Sequence, residues 1–97
     1  RITGKGKLDI VILNDAHPVY PRRARVAGYS ISIRVRVRFV VDEKGDVIRS
    51  KVMTSDIPPL DFEQAALKAI RAMKFRPIKR LGVPVKVTFE KAIIFRP

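Results

Sequence analysis

A chain of 97 residues, 46% of them apolar and 31% charged, has the size and composition of one folded domain, which excludes a cofactor domain joined to a substrate domain. With no cysteine and a single histidine, His17, disulfide staples, thiolate nucleophiles, cysteine-ligated zinc and histidine-pair metal sites are excluded as well. Lysine and arginine number 21 against 9 aspartates and glutamates, a formal charge of +12, so the surface carries a positive field that draws nucleic acid, anionic headgroups or acidic proteins.

Residues 1–7, polar and containing Gly4 and Gly6, read as a flexible start. Residues 1–16 together read as a flexible or extended lead to a domain at 17–97, and the opening Arg1 fits a fragment or processed product. The apolar run from Leu8 to Leu13 is far too short to cross a bilayer, which takes ~20 residues. It predicts an extra strand or an extended segment lying on the core. Asn14-Asp15-Ala16 is turn chemistry. In His17-Pro18-Val19-Tyr20-Pro21 the two prolines fix φ and push Tyr20 out of helical conformation. Pro21 suits the first position of a helix and Gly28 the residue just past its end, which predicts a short helix over 21–27.

Ile31, Ile33, Val35, Val37 and Phe39 then alternate with Ser30, Ser32, Arg34, Arg36 and Arg38. That period of two predicts a strand with one buried and one wet face. Residues 41–47, with Gly45 able to take positive φ, form the hairpin connection to a second strand over 47–54. The phase slips between Val47 and Ile48, which predicts a bulge. Pro58-Pro59 closes this region, and Asp61 with Gln64 three residues on reads as a capping box. Phe62, Ala66, Ala69, Ile70 and Met73 share the face of an amphipathic helix over 61–74. Gly82-Val83-Pro84 introduces a last strand over 85–95, with Val85, Val87, Phe89, Ile93 and Phe95 on one face and Lys91 interrupting it. The expected fold is α+β: a short N-terminal helix and an antiparallel three-stranded sheet covered on one face by one longer helix.

In order and spacing these residues resemble the C-terminal domain of the TonB family of energy transducers. Tyr20-Pro21 with Ala24 and Gly28 is similar to that family's opening Tyr-Pro-x-x-Ala helix. Val35-x-Val37-x-Phe39, Val41-Asp42 and Gly45-x-Val47 resemble its first hairpin. Ser55, Leu60-Asp61, Ala65-Ala66-Leu67, Ala69 and Phe75-x-Pro77 resemble its central helix and exit, and Gly82-x-Pro84-Val85 with Ile93-x-Phe95 its last strand. The resemblance covers residues 17–96. Ile33 and Met73 depart from it, standing where members commonly carry a glycine and an aromatic.

The resemblance implies a periplasmic domain of an inner-membrane-anchored protein. Its partners would be outer-membrane TonB-dependent receptors, bound through their Ton box, and an ExbB/ExbD-type proton-driven motor reached through an N-terminal region absent from this chain. A homodimer through an uncovered strand edge is a further expectation. Capture of the Ton box would be strand addition, with main-chain hydrogen bonds giving affinity and alternate side chains specificity. The partner-binding residues expected on that basis are Val85, Lys86, Val87, Thr88, Phe89, Glu90 and Lys91 of the last strand, with His17 and Tyr20 of the proline-flanked segment. An edge covered by residues 8–13 or by a second copy is the competing reading of the strand. A solvated loop residue is the competing reading of His17, and packing over the sheet that of Tyr20.

No catalytic residue, metal site or cofactor is expected. Asp42, Glu43 and Asp46 cluster in a hairpin turn, where acidic residues serve conformation, and Gly4-Lys5-Gly6-Lys7 is no phosphate-cradling motif. Two other functions stay open. One is a small basic nucleic-acid-binding domain using Arg34, Arg36 and Arg38, although no aromatics interleave with these as base stacking requires. The other is an envelope force transducer of the TolA type.

Overall fold

The computed structural model describes residues 8–97; the expected flexible start at 1–7 lies outside the described residues. In chain order the elements are β1 (Leu8–Asp9), β2 (Ile12–Asn14), α1 (Arg22–Val26), β3 (Ile33–Val41), β4 (Val47–Val52), α2 (Phe62–Arg71), β5 (Lys74–Phe75), β6 (Lys79–Arg80), β7 (Val83–Pro84) and β8 (Val87–Phe95). The main sheet is antiparallel in the order β4-β3-β8, with β3 central. Two small sheets flank it, β1-β6-β7 and β2-β5.

The alternation around β3 works as expected, displaced by two residues along the chain. Val35, Val37, Phe39 and Val41 are buried, while Arg34, Arg36 and Arg38 are exposed. Ile31 falls outside the strand, whose pairing ends at Ile33 opposite Phe95; its carbonyl accepts the Tyr20 hydroxyl at 2.8 Å, and its side chain stays exposed. In β4, Val47 opposes Val41 and Arg49 opposes Val40, so Ile48 is the extra residue of the expected bulge.

Helix α1 begins after Pro21, which stands in extended conformation as the N-cap. It ends in a Schellman motif: Tyr29 N–H donates to Ala24 O at 2.9 Å and Gly28 N–H to Arg25 O at 3.0 Å, with Gly28 at φ 87°. Helix α2 is shorter than its periodicity predicts. Lys74 and Phe75 leave the helix to pair with Asn14 and Ile12 of β2, so Met73 reaches the core from just past the helix end. The capping box is absent. Asp61 sits at φ 69°, makes no side-chain cap bond, and accepts instead from Arg23 at 3.5 Å.

Helix α2 packs its Phe62, Ala66, Ala69 and Ile70 stripe on the inner face of β3 and β4. Phe62 meets Tyr20 and Phe95 edge-on, at centroid distances of 5.3 and 5.4 Å. Under β8, Phe89 stacks on both Phe39 and Phe75 at 5.5 Å. Each large side chain buried this way stabilises by roughly 1.5–3 kcal/mol relative to exposure. Gly45 seats the hairpin against this layer. It has φ 92°, its carbonyl accepts Phe75 N–H at 2.9 Å, and a Cβ there would fall 1.9 Å from Phe75 O. The outer face of the sheet carries no covering layer among the described residues.

Candidate functional site: the outer edge of the last strand

Strand β8 pairs with β3 along all nine residues from Val87↔Val41 to Phe95↔Ile33. Among the described residues no strand lies on its other side. Which main-chain groups point there follows from the ladder. Arg36 turns its backbone toward β4: its N–H donates to Thr54 Oγ1 and its carbonyl accepts Met53 N–H, both at 2.8 Å. Antiparallel strands alternate the direction of these groups residue by residue. Val35, Val37, Phe39 and Val41 therefore face β8, bonding to the opposed Ile93, Lys91, Phe89 and Val87. The N–H and C=O groups of Thr88, Glu90, Ala92 and Ile94 are left pointing outward. They span about 20 Å at ~3.4 Å per residue.

The residues expected here from sequence divide accordingly. Thr88 and Glu90 supply outward main-chain groups. Val87, Phe89 and Lys91 bond to β3, and Phe89 anchors the strand on the aromatic stack. Val85 and Lys86 precede the strand, and the Val85 N–H donates to Ile78 O at 2.8 Å, so the free rail begins after them. Ala92 and Ile94, not singled out from sequence, complete it; the alternation resuming at Ile93 and Phe95 after Lys91 was the signal for them.

Glu90 joins this rail to the outer face. Its carboxylate accepts from Arg38 Nη2 at 2.6 Å and Arg36 Nη1 at 3.3 Å. The Arg38 hydrogen bond, more than any other contact, holds this carboxyl below its usual range. On the inner side, Lys91 Nζ lies 4.0 Å from Asp15 Oδ1. Asp15 belongs to a cleft of about 250 Å³ lined also by Asn14, His17, Val19, α2 residues Ala65, Lys68 and Ala69, and the helix's C-cap Ala72. Asn14 fixes the cleft wall by donating its side-chain amide to Ala72 O at 2.7 Å.

His17 is thus exposed on the rim of a cleft whose Asp15 reaches β8. Tyr20 is 4% exposed. Its ring lies edge-on to Phe62 with the Arg25 guanidinium 5.0 Å above it, so it clamps the proline-flanked segment to the core. Among the described residues no cluster of side chains suits a metal ion, and no helix is long and apolar enough to cross a membrane.

The family model described as "Gram-negative bacterial TonB protein C-terminal" matches residues 16–97. The solution structure of the Pseudomonas aeruginosa TonB C-terminal domain is similar at 29% identity with a TM-score of 0.73, covering 92% of this chain and 87% of that one. No curated protein sequence matches. Members of the matched family are periplasmic, non-catalytic transport adaptors that interact with outer-membrane receptors. An α+β chain matched from residue 16 to its last residue belongs to the family of Gram-negative TonB C-terminal domains.

Proposed function

We propose that this domain binds the Ton box of an outer-membrane receptor by adding it as a strand to the outer edge of β8. The observation that carries this reading is the set of outward main-chain groups at Thr88, Glu90, Ala92 and Ile94. An extended guest of about seven residues matches that rail, and its own alternate side chains would meet the outer face and the His17 cleft in turn. His17 is the rim contact. Tyr20 acts through its hold on the 17–21 segment rather than by touch. Val85 and Lys86 receive the guest where it passes the start of the strand.

In this reading the domain is the periplasmic end of an inner-membrane-anchored transducer. It passes force from an ExbB/ExbD-type motor to the receptor, with no chemistry of its own. A second copy competes for the same edge, so a homodimer and the receptor complex are alternatives.

Titration with a synthetic Ton-box peptide tests the reading by amide NMR. The expected result is saturable shifts at Thr88, Glu90, Ala92 and Ile94, with slowed hydrogen exchange at those four. Shifts confined to α1 or β4 would place the receptor site elsewhere and remove strand addition at β8.

A further inference from the structure

The outer face of the main sheet has a charge pattern that the edge does not use. Alternation and register bring Arg34, Arg36 and Arg38 of β3 beside Arg49 and Lys51 of β4, all exposed. The three arginines span only about 14 Å of strand, and neighbouring strands lie ~4.8 Å apart. The one acid on this face among the described residues is Glu90, shared between Arg36 and Arg38. Arg34, Arg49 and Lys51 are in no ion pair among the described residues. Lys51 stands directly opposite Arg38, and like charges in that position destabilise a sheet. The fold therefore carries a repulsion that a bound anionic surface would relieve.

The chemistry of the face also narrows its occupant. It is a sheet surface rather than a deep pocket, and exposed Met53 borders the cations at the end of β4. The aromatic rings of the fold pack on one another in the layer beneath, so none is placed here for base stacking. We infer that this face docks on a bilayer surface of anionic phospholipid headgroups, with the five cations on phosphates and Met53 at the interface. Arg34, Arg49 and Lys51 lie on β3 and β4 and make no contact with the four outward main-chain groups of β8, so their substitution leaves that rail in place.

The test is flotation with vesicles of 30% phosphatidylglycerol in phosphatidylcholine, against phosphatidylcholine alone, at 0.15 M salt. The expected result is binding to the anionic vesicles alone, weakening steeply with added salt. A face triple, Arg34→Gln, Arg49→Gln and Lys51→Gln, should weaken it by about 10- to 100-fold. A control triple of equal charge, Lys44→Gln, Lys79→Gln and Arg80→Gln, should weaken it less than about threefold. The face triple should also melt no lower than the parent, because it removes the Arg38–Lys51 repulsion, so lost binding is not lost fold. Equal loss in both triples would overturn the inference. So would absence of vesicle binding, or an RNA oligonucleotide that outcompetes the vesicles and is lost with the same face triple.

Discussion

The two edges of the main sheet are built to opposite ends. Strand β4 spans six residues, is broken by the bulge at Ile48, and lies under α2, whose Arg71 donates to Ser50 Oγ at 3.3 Å. Between the bulge and its end only Ser50 and Val52 turn main-chain groups outward. Strand β8 spans nine residues with no bulge and no proline, and four of its residues face outward. Proteins blunt exposed edges by shortening, bulging or covering them. Here that protection is applied to β4 and withheld from β8, and under the proposed function the difference keeps one edge for a guest without pairing at the other.

The largest effect expected from disturbing this asymmetry is at the hairpin that leads into β4. Gly45→Ala forces a side chain into left-handed backbone and into the Phe75 carbonyl, and should cost about 3 kcal/mol or more in denaturant unfolding. Gly28→Ala has the same sign of φ but open space around it, and should cost only about 1 kcal/mol. Equal costs would mean that the Gly45–Phe75 contact does not hold the hairpin.

Next in size is a proline exchanged between the edges. Ala92→Pro removes an outward donor without touching the β3 ladder and should weaken Ton-box peptide binding by about 10- to 100-fold in calorimetry. Ser50→Pro, its counterpart on β4, should leave the affinity within about twofold. A peptide N-methylated at alternate residues should reproduce the first result on unaltered protein.

Phe89→Ala removes a half-buried ring from between Phe39 and Phe75, and should cost about 2 kcal/mol by thermal or urea unfolding. It should weaken peptide binding as well, since it loosens the strand that carries the rail.

The smallest effect concerns acid. Glu90 is held below its usual value of 4.5, chiefly by the hydrogen bond from Arg38. A carboxylate with a lowered folded pKa stabilises above its unfolded pKa, and that contribution fades as pH falls through the folded one. Glu90→Gln should therefore lower Tm at pH 7, and the gap to the parent should close as pH drops below 4.5. A gap independent of pH would show that the arginine pair contributes nothing through charge.

Much of this asymmetry is legible in the residues. The alternation from Ile31 to Phe39 marks the central strand, which runs two residues later at Ile33–Val41, and puts three arginines on its wet face, and the slip at Ile48 marks the bulge. The free rail at β8 is not, because it depends on strand order and on which alternate groups face β3. The short strands β5, β6 and β7 also escape local reading: with two residues each they show no period. The Leu8–Leu13 run predicts an extra strand or an extended segment, and β1 and β2 lie at it, but their pairing is long-range and shows in no local pattern, as in Leu8 with Arg80 or Ile12 with Phe75. The same pairing ends α2 early, since Lys74, the last residue of the expected helix, and Phe75 after it find partners in β2. At Asp61 the residue type suits a cap, yet the left-handed backbone gives its carboxylate to Arg23.

The most direct measurement is residue-resolved hydrogen exchange of the backbone amides with and without a Ton-box peptide. Recognition at the free edge predicts that Thr88, Glu90, Ala92 and Ile94 exchange fast alone and become protected on binding. Val87, Phe89, Lys91 and Ile93 should be protected throughout, and Ser50 and Val52 should not change. Protection of the four outward amides before peptide is added, at a concentration where the protein is monomeric, would contradict it.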